Sequence, residues 1–412
     1  MNEAVVENAG AVEGAGRWRA LALLGAAELL GMSLWFSASA AVPALRSEWR
    51  LSESSAGWLT LAVQLGFVAG TLISALLNLP DVISSRKLFA VSAFAGAVVN
   101  AAFGLYASDF TTGVALRFLV GVCLAGVYPP GMKIMATWFR RGRGTALGVL
   151  VGALTLGKAS PYLVNALGGD AWRSNVIFVS GLAAVGGLIV LLFVGDGPYA
   201  TAPARFDVAQ VIRVFRNRGV RLANFGYFGH MWELYAMWTW APVMIRASLS
   251  ARGQGGSLAD AASFVVIGSG AVGCVAAGLL ADRVGRTVVT SAAMVLSGAC
   301  CVAVGFLFGG SPALLLSVAA LWGASVVADS AQFSACVTEL ADARYMGTAL
   351  TLQTCCGFLL TTLSIRLVPA LEGRFGWRYA FAALALGPAF GVASMLRLRS
   401  LPEAARIAQG RR

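Results

Sequence analysis

The chain is 412 residues long, 58% hydrophobic and only 12% charged, with a mean hydropathy of +0.76. This excludes a water-soluble globule, whose charged fraction is about twice as large. Its formal charge of +12 does not describe a nucleic-acid surface, because the basic residues fall almost wholly in loops, where they anchor topology beside anionic headgroups.

Residues 1–16, acidic and rich in Gly and Ala, are expected to form a disordered cytoplasmic tail. Apolar runs of about 20 residues then predict membrane helices near 19–44, 55–77, 87–107, 111–135, 144–164, 174–195, 221–246, 261–281, 287–308, 312–337, 347–368 and 379–397. The first run is too long for the core of a cleaved signal peptide. The polar stretch 196–219 divides the chain, so 17–195 and 220–397 are read as two six-helix bundles and 398–412 as a basic cytoplasmic tail. The fold class is an all-α membrane protein of about twelve transmembrane helices in two pseudo-symmetric halves. Basic clusters at Lys133/Arg140/Arg141/Arg143, Arg205/Arg213/Arg216/Arg218/Arg221 and Arg397/Arg399/Arg406/Arg411/Arg412 share one side. The positive-inside rule then puts both termini in the cytoplasm of an inner, plasma-membrane protein.

The halves echo one another. Gly144-Thr145-Ala146-Leu147 recurs as Gly347-Thr348-Ala349-Leu350, Asp170-Ala171-Trp172-Arg173 as Phe375-Gly376-Trp377-Arg378, and Asp81 as Asp282, at offsets of roughly 201–205 residues. Parallel six-helix repeats around a central cavity are an architecture of secondary transporters.

The run Gly278-Leu279-Leu280-Ala281-Asp282-Arg283-Val284-Gly285-Arg286 resembles the cytoplasmic loop motif of the major facilitator superfamily. The first-half copy, Asn78 to Lys87, keeps Asp81 and Arg86 but has neither glycine. Arg117-Phe118-Leu119-Val120-Gly121 on span four is similar to that family's intramembrane arginine motif, with Val120 where glutamine is frequent. The resemblance spans nearly the whole chain. It implies that Asp282 caps a neighbouring helix and pairs with arginine as a latch, that spans one, four, seven and ten surround the pathway, and that three, six, nine and twelve face lipid. It also implies that Arg117 perturbs nearby protonation without touching solute, and that the protein is a monomer.

A charge at bilayer depth costs about 2.5–3.5 kcal/mol on insertion scales, so each one is expected to face a cavity or a partner. Those present are Glu28 on span one, Arg117 on four, Lys158 on five, His230 and Glu233 on seven, and Asp329 on ten. His230 and Glu233 stand three residues apart and are expected to share a helical face as a proton relay, with Glu28 as another proton carrier. Lys158, ahead of Ser160 and Pro161, is expected either to meet an anionic solute or to pair with an acid; Pro161 frees a carbonyl for a cation or water. Trp232 and Tyr235 bracket Glu233 and are expected, with Lys158 and Asp329, to bind solute. Trp240 is read as packing, Pro242 as a break or bend in span seven, and Gly148 with Gly152 as a close-packing face on span five.

Catalysis and ATP-driven pumping lack a motif: there is no phosphate-cradling loop, no HExxH and no metal-ligand spacing among the seven cysteines, so neither an enzyme nor a cofactor is expected. The expected partners are a small-molecule solute, protons and membrane lipid. The function expected is secondary transport, proton-coupled, by rocking of the halves. Lys158, Arg117 and His230 lean toward a small organic anion. The alternatives are proton antiport of cationic or aromatic drugs, an uncoupled facilitator, and a transport-dead membrane sensor, which would need a soluble signalling domain not found here.

Overall fold

Backbone in hydrocarbon has no water to satisfy its N–H and C=O groups, so a chain of this composition must coil into helices. The computed structural model describes residues 3–77, 79, 83–139, 142–168, 171–199, 216–342 and 346–411; among them the regular elements are helical and there is no strand. Asp81 and Asp170, and Arg140, Arg141, Arg205, Arg213 and Arg412 of the basic clusters, lie outside the described residues. The long helices are α1 (Glu3–Met32), α2 (Glu53–Leu76), α3 (Ser85–Tyr106), α4 (Phe110–Trp138), α5 (Arg143–Gly168) and α6 (Trp172–Phe193). The second half follows with α7 (Arg218–Ser250), α8 (Ser257–Val284), α9 (Arg286–Phe306), α10 (Pro312–Leu340), α11 (Met346–Phe375) and α12 (Trp377–Arg399).

Among the described residues, ten helices are long and apolar enough to cross a bilayer; α1 and α7 are two further long helices of the bundle. α1 begins at Glu3, within the stretch expected as a tail. Two short helices, Ser37–Ala40 and Val42–Trp49, continue from α1 after a non-helical break at residues 33–36. α4 breaks ahead of Pro129 and Pro130, which cannot donate to the preceding turn. α10 breaks at Asp329, which ends Pro312–Ala328 and starts Ser330–Leu340.

Packing repeats between the halves. α1 packs on α5 and α6 as α7 packs on α11 and α12; α2 meets α4 as α8 meets α10; α3 meets α6 as α9 meets α12. The seam between halves is made by α5 against α8 and α2 against α11. Glycine sets the closest approaches within each half. A Cβ on Gly66 would lie 1.9 Å from the Phe118 carbonyl oxygen and one on Gly121 2.0 Å from that of Val63; in the second half, Gly273 and Gly323 stand 1.9 and 1.8 Å from the oxygens of Ala324 and Val266. Without water to drive association, this backbone-to-backbone fit is what binds the helices.

Large apolar side chains remain exposed along α3 (Val91, Val98), α6 (Phe178, Leu192), α9 (Val295, Val302) and α12 (Leu386, Phe390), the helices expected to face lipid. Two of the prolines inside helices, Pro161 and Pro369, are compensated. Pro161 frees the Gly157 carbonyl, which accepts from Ser160 Oγ at 2.8 Å; Pro369 frees that of Ile365, which accepts from Trp240 Nε1 at 2.7 Å. Trp240 thereby ties α7 to α11. α7 itself runs unbroken through Pro242.

The glycine contacts give a stability test. Gly323→Ala drives a Cβ into the Val266 backbone and is expected to cost about 1–3 kcal/mol, whereas Gly181→Ala, with nothing within 4 Å of its Cβ, should leave the melting temperature unchanged. Detergent-solubilised protein followed by scattering and intrinsic fluorescence on heating measures both; equal melting would contradict the packing described.

Candidate solute site and gate

An ammonium in hydrocarbon needs polar or π partners, and Lys158 finds them across the seam. It projects from α5 and is 2% exposed. Its Nζ donates to the Tyr235 hydroxyl of α7 and lies 4.1, 4.6 and 4.8 Å from the ring centroids of Trp35, Tyr235 and Trp238. Phe67 of α2 and Phe358 of α11, 4.7 Å apart, close the cage from behind, and Thr361 of α11 hydrogen-bonds to Gln64 of α2 beside them. Both halves therefore contribute to one small pocket, which Met32, Tyr128 and Tyr227 also line.

Glu28 of α1 is fully buried, and neither carboxyl oxygen has a hydrogen-bond partner among the described residues. It occupies the space that Gly131 of α4 leaves, since a Cβ there would lie 2.6 Å from Oε2.

His230 and Glu233 do not form the expected pair. Glu233 accepts from Trp322 Nε1 at 2.6 Å and from Ser297 Oγ at 2.9 Å, so it points toward α9 and α10. His230 Nδ1 instead lies 2.8 Å from Asp329 Oδ1, both side chains buried, in a close contact that is out of line for a hydrogen bond. Asp329 is thus a partner of His230 at the α10 break, and it does not line the Lys158 pocket. Trp232 is also corrected: it donates to the Ala383 carbonyl at 3.3 Å and packs on Gly387 of α12, away from that pocket. Tyr235 is the expected aromatic that reaches the site. Arg117, fully buried, donates to Ser37, Asn100 and the carbonyls of Leu34 and Trp35. All of these are neutral oxygens.

At the end of the bundle that holds the chain termini, α5 and α8 close together. Asp282 Oδ2 accepts from the Thr145 N–H and hydroxyl, each at 3.2 Å, capping the start of α5. Gly144 leaves room for the carboxylate, and Gly278 lets α8 approach within 2.9 Å of the Gly144 oxygen measured from a built Cβ. Gly285 sits at φ +100°, a conformation that side chains rarely adopt, and turns the chain into α9. Arg286 is the hub: it forks onto Glu339 at 2.8 and 3.1 Å, donates to Gln332 at 2.6 Å, and lies 3.9 Å from Asp282. Residues after α12 fold back here, Ala408 N–H donating to Glu339 at 3.0 Å and Arg411 to the Asp282 carbonyl. Arg283 is exposed. Arg86 donates to the Val194 carbonyl at 2.9 Å, tying α3 to the end of α6.

At the opposite end a cavity lies between the halves, lined by Arg46, Thr60, Tyr162, Trp240, Arg246 and Asp260, with Arg246 ion-paired to Asp260. Trp238 lines the inner pocket, and the next residues, Thr239 and Trp240, line the outer cavity. Trp35, Phe358, Trp322, Ser297, Asn100 and Glu339 escaped the sequence reading. A lone amide inside the apolar run of α3 was the one signal for Asn100; the others lie where only tertiary packing brings them.

Losing a helix cap costs about 0.5–2 kcal/mol. Asp282→Ala is therefore expected to raise amide exchange at Thr145–Leu147 by a few-fold to about thirtyfold, while exchange in α3 stays as in the parent protein. Unchanged protection at Thr145 would show that this carboxylate does not hold α5.

Comparison with known proteins agrees with this architecture. A crystal structure of a mutant of the nucleoside transporter NupG superposes with a TM-score of 0.68 at 14% identity, covering 92% of this chain and 99% of that one. A probable actinorhodin transporter of Streptomyces coelicolor is 29% identical over 216 residues, 48% of this chain, and an uncharacterized transporter, ESBP6, of Saccharomyces cerevisiae is 24% identical over 243 residues, 56% of this chain. The matched segments span 35% of the length of each of those two proteins. Residues 23–365 match the family description Major Facilitator Superfamily, and the chain belongs to that superfamily of membrane transporters.

Proposed function

We propose that this protein is a proton-coupled secondary transporter of small organic anions with a planar apolar body, opening alternately at its two ends. The observation that carries the proposal is Lys158: a buried cation at the seam, walled by Trp35, Tyr235 and Trp238. A carboxylate on the solute would take the ammonium as counter-ion while its apolar body stacks on the rings. Both helices of the α5–α8 contact, the aromatic seam and the Asp282 latch would have to part for the terminal end to open.

Coupling follows from Glu28. It has no cation in hydrogen-bond contact, and Lys158 supplies opposite charge nearby. An anion that engages Lys158 withdraws that compensation, so binding of solute favours a proton on Glu28, and the two are carried together. His230 with Asp329, and Glu233 between its two neutral donors, are further proton acceptors within the second half. With the basic loops cytoplasmic, the termini lie inside the plasma membrane and the cavity at the opposite end faces outward. The protein acts as a monomer.

A second solute class is favoured by one observation. Three rings around an ammonium also suit an organic cation, which would take the place of Lys158 in the cage and be exported against protons.

The test is a thermal-shift series with benzoate, acetate and tetraethylammonium at about pH 5.5 and 7.5, on the parent protein and Lys158→Ala. A ligand at about 100 times its dissociation constant stabilises by roughly 2.7 kcal/mol. Benzoate is expected to stabilise the parent, more strongly at the lower pH, and to lose that effect in Lys158→Ala; proteoliposomes should then take up benzoate faster with acid on the entry side. Stabilisation by tetraethylammonium that survives the substitution would overturn the anion proposal in favour of the cation class.

A further inference from the structure

We infer that Arg117 is a positioning residue for the solute site: through the backbone of the broken end of α1 it holds the Trp35 ring against Lys158, and so sets a preference for planar solutes. The inference rests on the assignment of the Lys158 pocket as the solute site.

The backbone bonds across the break run from Trp35 N–H to Met32 and from Ala40 N–H to Phe36. Among the described residues, this leaves the Leu34 and Trp35 carbonyls to side chains. Carbonyls without donors at bilayer depth are costly, and the Arg117 guanidinium meets both. Its Nη2 donates to Leu34 O at 2.9 Å and to Trp35 O. Its Nη1 is fixed by Ser37 Oγ at 3.0 Å and Asn100 Oδ1 at 2.8 Å. Asn100 is in turn held by its own donations to Val176 O at 3.2 Å and Ser180 Oγ at 2.9 Å. One side chain of α4, braced by α3 and α6, therefore fixes the backbone from which Trp35 hangs.

The ring then reaches across the seam. It packs on Phe67, Tyr235 and Phe358 at centroid distances of 5.1, 5.6 and 5.6 Å, and of the three rings around Lys158 it is the nearest, at 4.1 Å. No carboxylate is among the groups Arg117 contacts in these bonds. A planar fork with several donors is needed for this set of acceptors, which a single flexible ammonium cannot match. Loss of the fork frees the ring to shift while Lys158, held from α5, stays in place.

Planar and non-planar anions separate the two effects. Affinities for benzoate and for cyclohexanecarboxylate, which carry the same charge, would be measured by thermal shift or calorimetry in the parent, Arg117→Lys, Trp35→Leu and the double variant. Arg117→Lys is expected to weaken benzoate roughly fivefold to tenfold, the scale of one aromatic contact, and cyclohexanecarboxylate less than about twofold. Trp35→Leu should reproduce this pattern, and the double variant should lose no more than either alone. Ser37→Ala, which removes one Arg117 contact together with the Ser37 hydroxyl's own bonds to Leu34 O and Asn100 and leaves the Nη2 bonds, should show the same pattern with a smaller loss, and it serves if Arg117→Lys does not fold. Equal loss for both anions, no loss for either, or losses that multiply in the double variant would overturn the positioning role alone. Benzoate binding that persists in Lys158→Ala would instead sink the site assignment and this inference with it.

Discussion

A positive charge held at the depth of the bilayer is the constraint around which the rest of this molecule is arranged. Lys158 belongs to the first half, yet Tyr235 and Trp238, two of its three aromatic neighbours, come from α7 of the second. The interaction that makes the ammonium tolerable in hydrocarbon is therefore also one that joins the halves. A solute that supplies its own charge or rings at that point replaces part of the joint. On the proposed function, binding and the relation between the halves would become one equilibrium, as alternating access requires.

The halves themselves are joined internally by something different. Gly66 and Gly121 in the first, Gly273 and Gly323 in the second, bring backbone onto backbone with no side chain between. Such contacts resist sliding, because any shift drives a Cα into a carbonyl. The seam adds to glycine contacts of α5 on α8, where a Cβ on Gly148 would lie 2.6 Å from the Cys274 oxygen, a set of rings, the Gln64–Thr361 bond and the Asp282 cap. These polar contacts can be exchanged for others, whereas close-packed backbone cannot without loss.

Much of the fold was legible because lipid imposes simple rules: long apolar runs, basic loops on one side, and an internal repeat. The Asp282 cap was legible as well. Asp282, Gly285 and Arg286 are close in sequence, and a cap with a positive-φ glycine after it is a local structure. The solute site was legible only in part. Lys158, Glu28 and Tyr235 stand out as misplaced or amphipathic residues in their helices, but their partners lie on other helices. The His230 and Glu233 pairing failed for a geometric reason. Residues three apart on a helix differ by about 60° in direction, enough for one to meet Asp329 where α10 breaks and the other to reach Trp322 and Ser297. Trp232 points elsewhere again, onto α12. A densely polar helix such as α7 serves three neighbours at once, and spacing alone does not say which.

The same reasoning explains why the breaks in α1 and α10 matter more than their lengths suggest. A continuous helix satisfies its own backbone and has no need of its neighbours' polar groups. Once α1 opens at residues 33–36, its carbonyls draw in Arg117, and Asn100 and Ser37 with it. Where α10 opens, Asp329 meets His230, and three residues on Gln332 reaches Arg286 beside the Asp282 cap. Each break thus ties a point in mid-membrane to elements some distance away: Trp35 and the Lys158 cage in one half, the closed end in the other. Irregular backbone costs hydrogen bonds, and at the α1 break the group recruited to restore them, Arg117, is the one that connects the proposed solute site to the body of the first half.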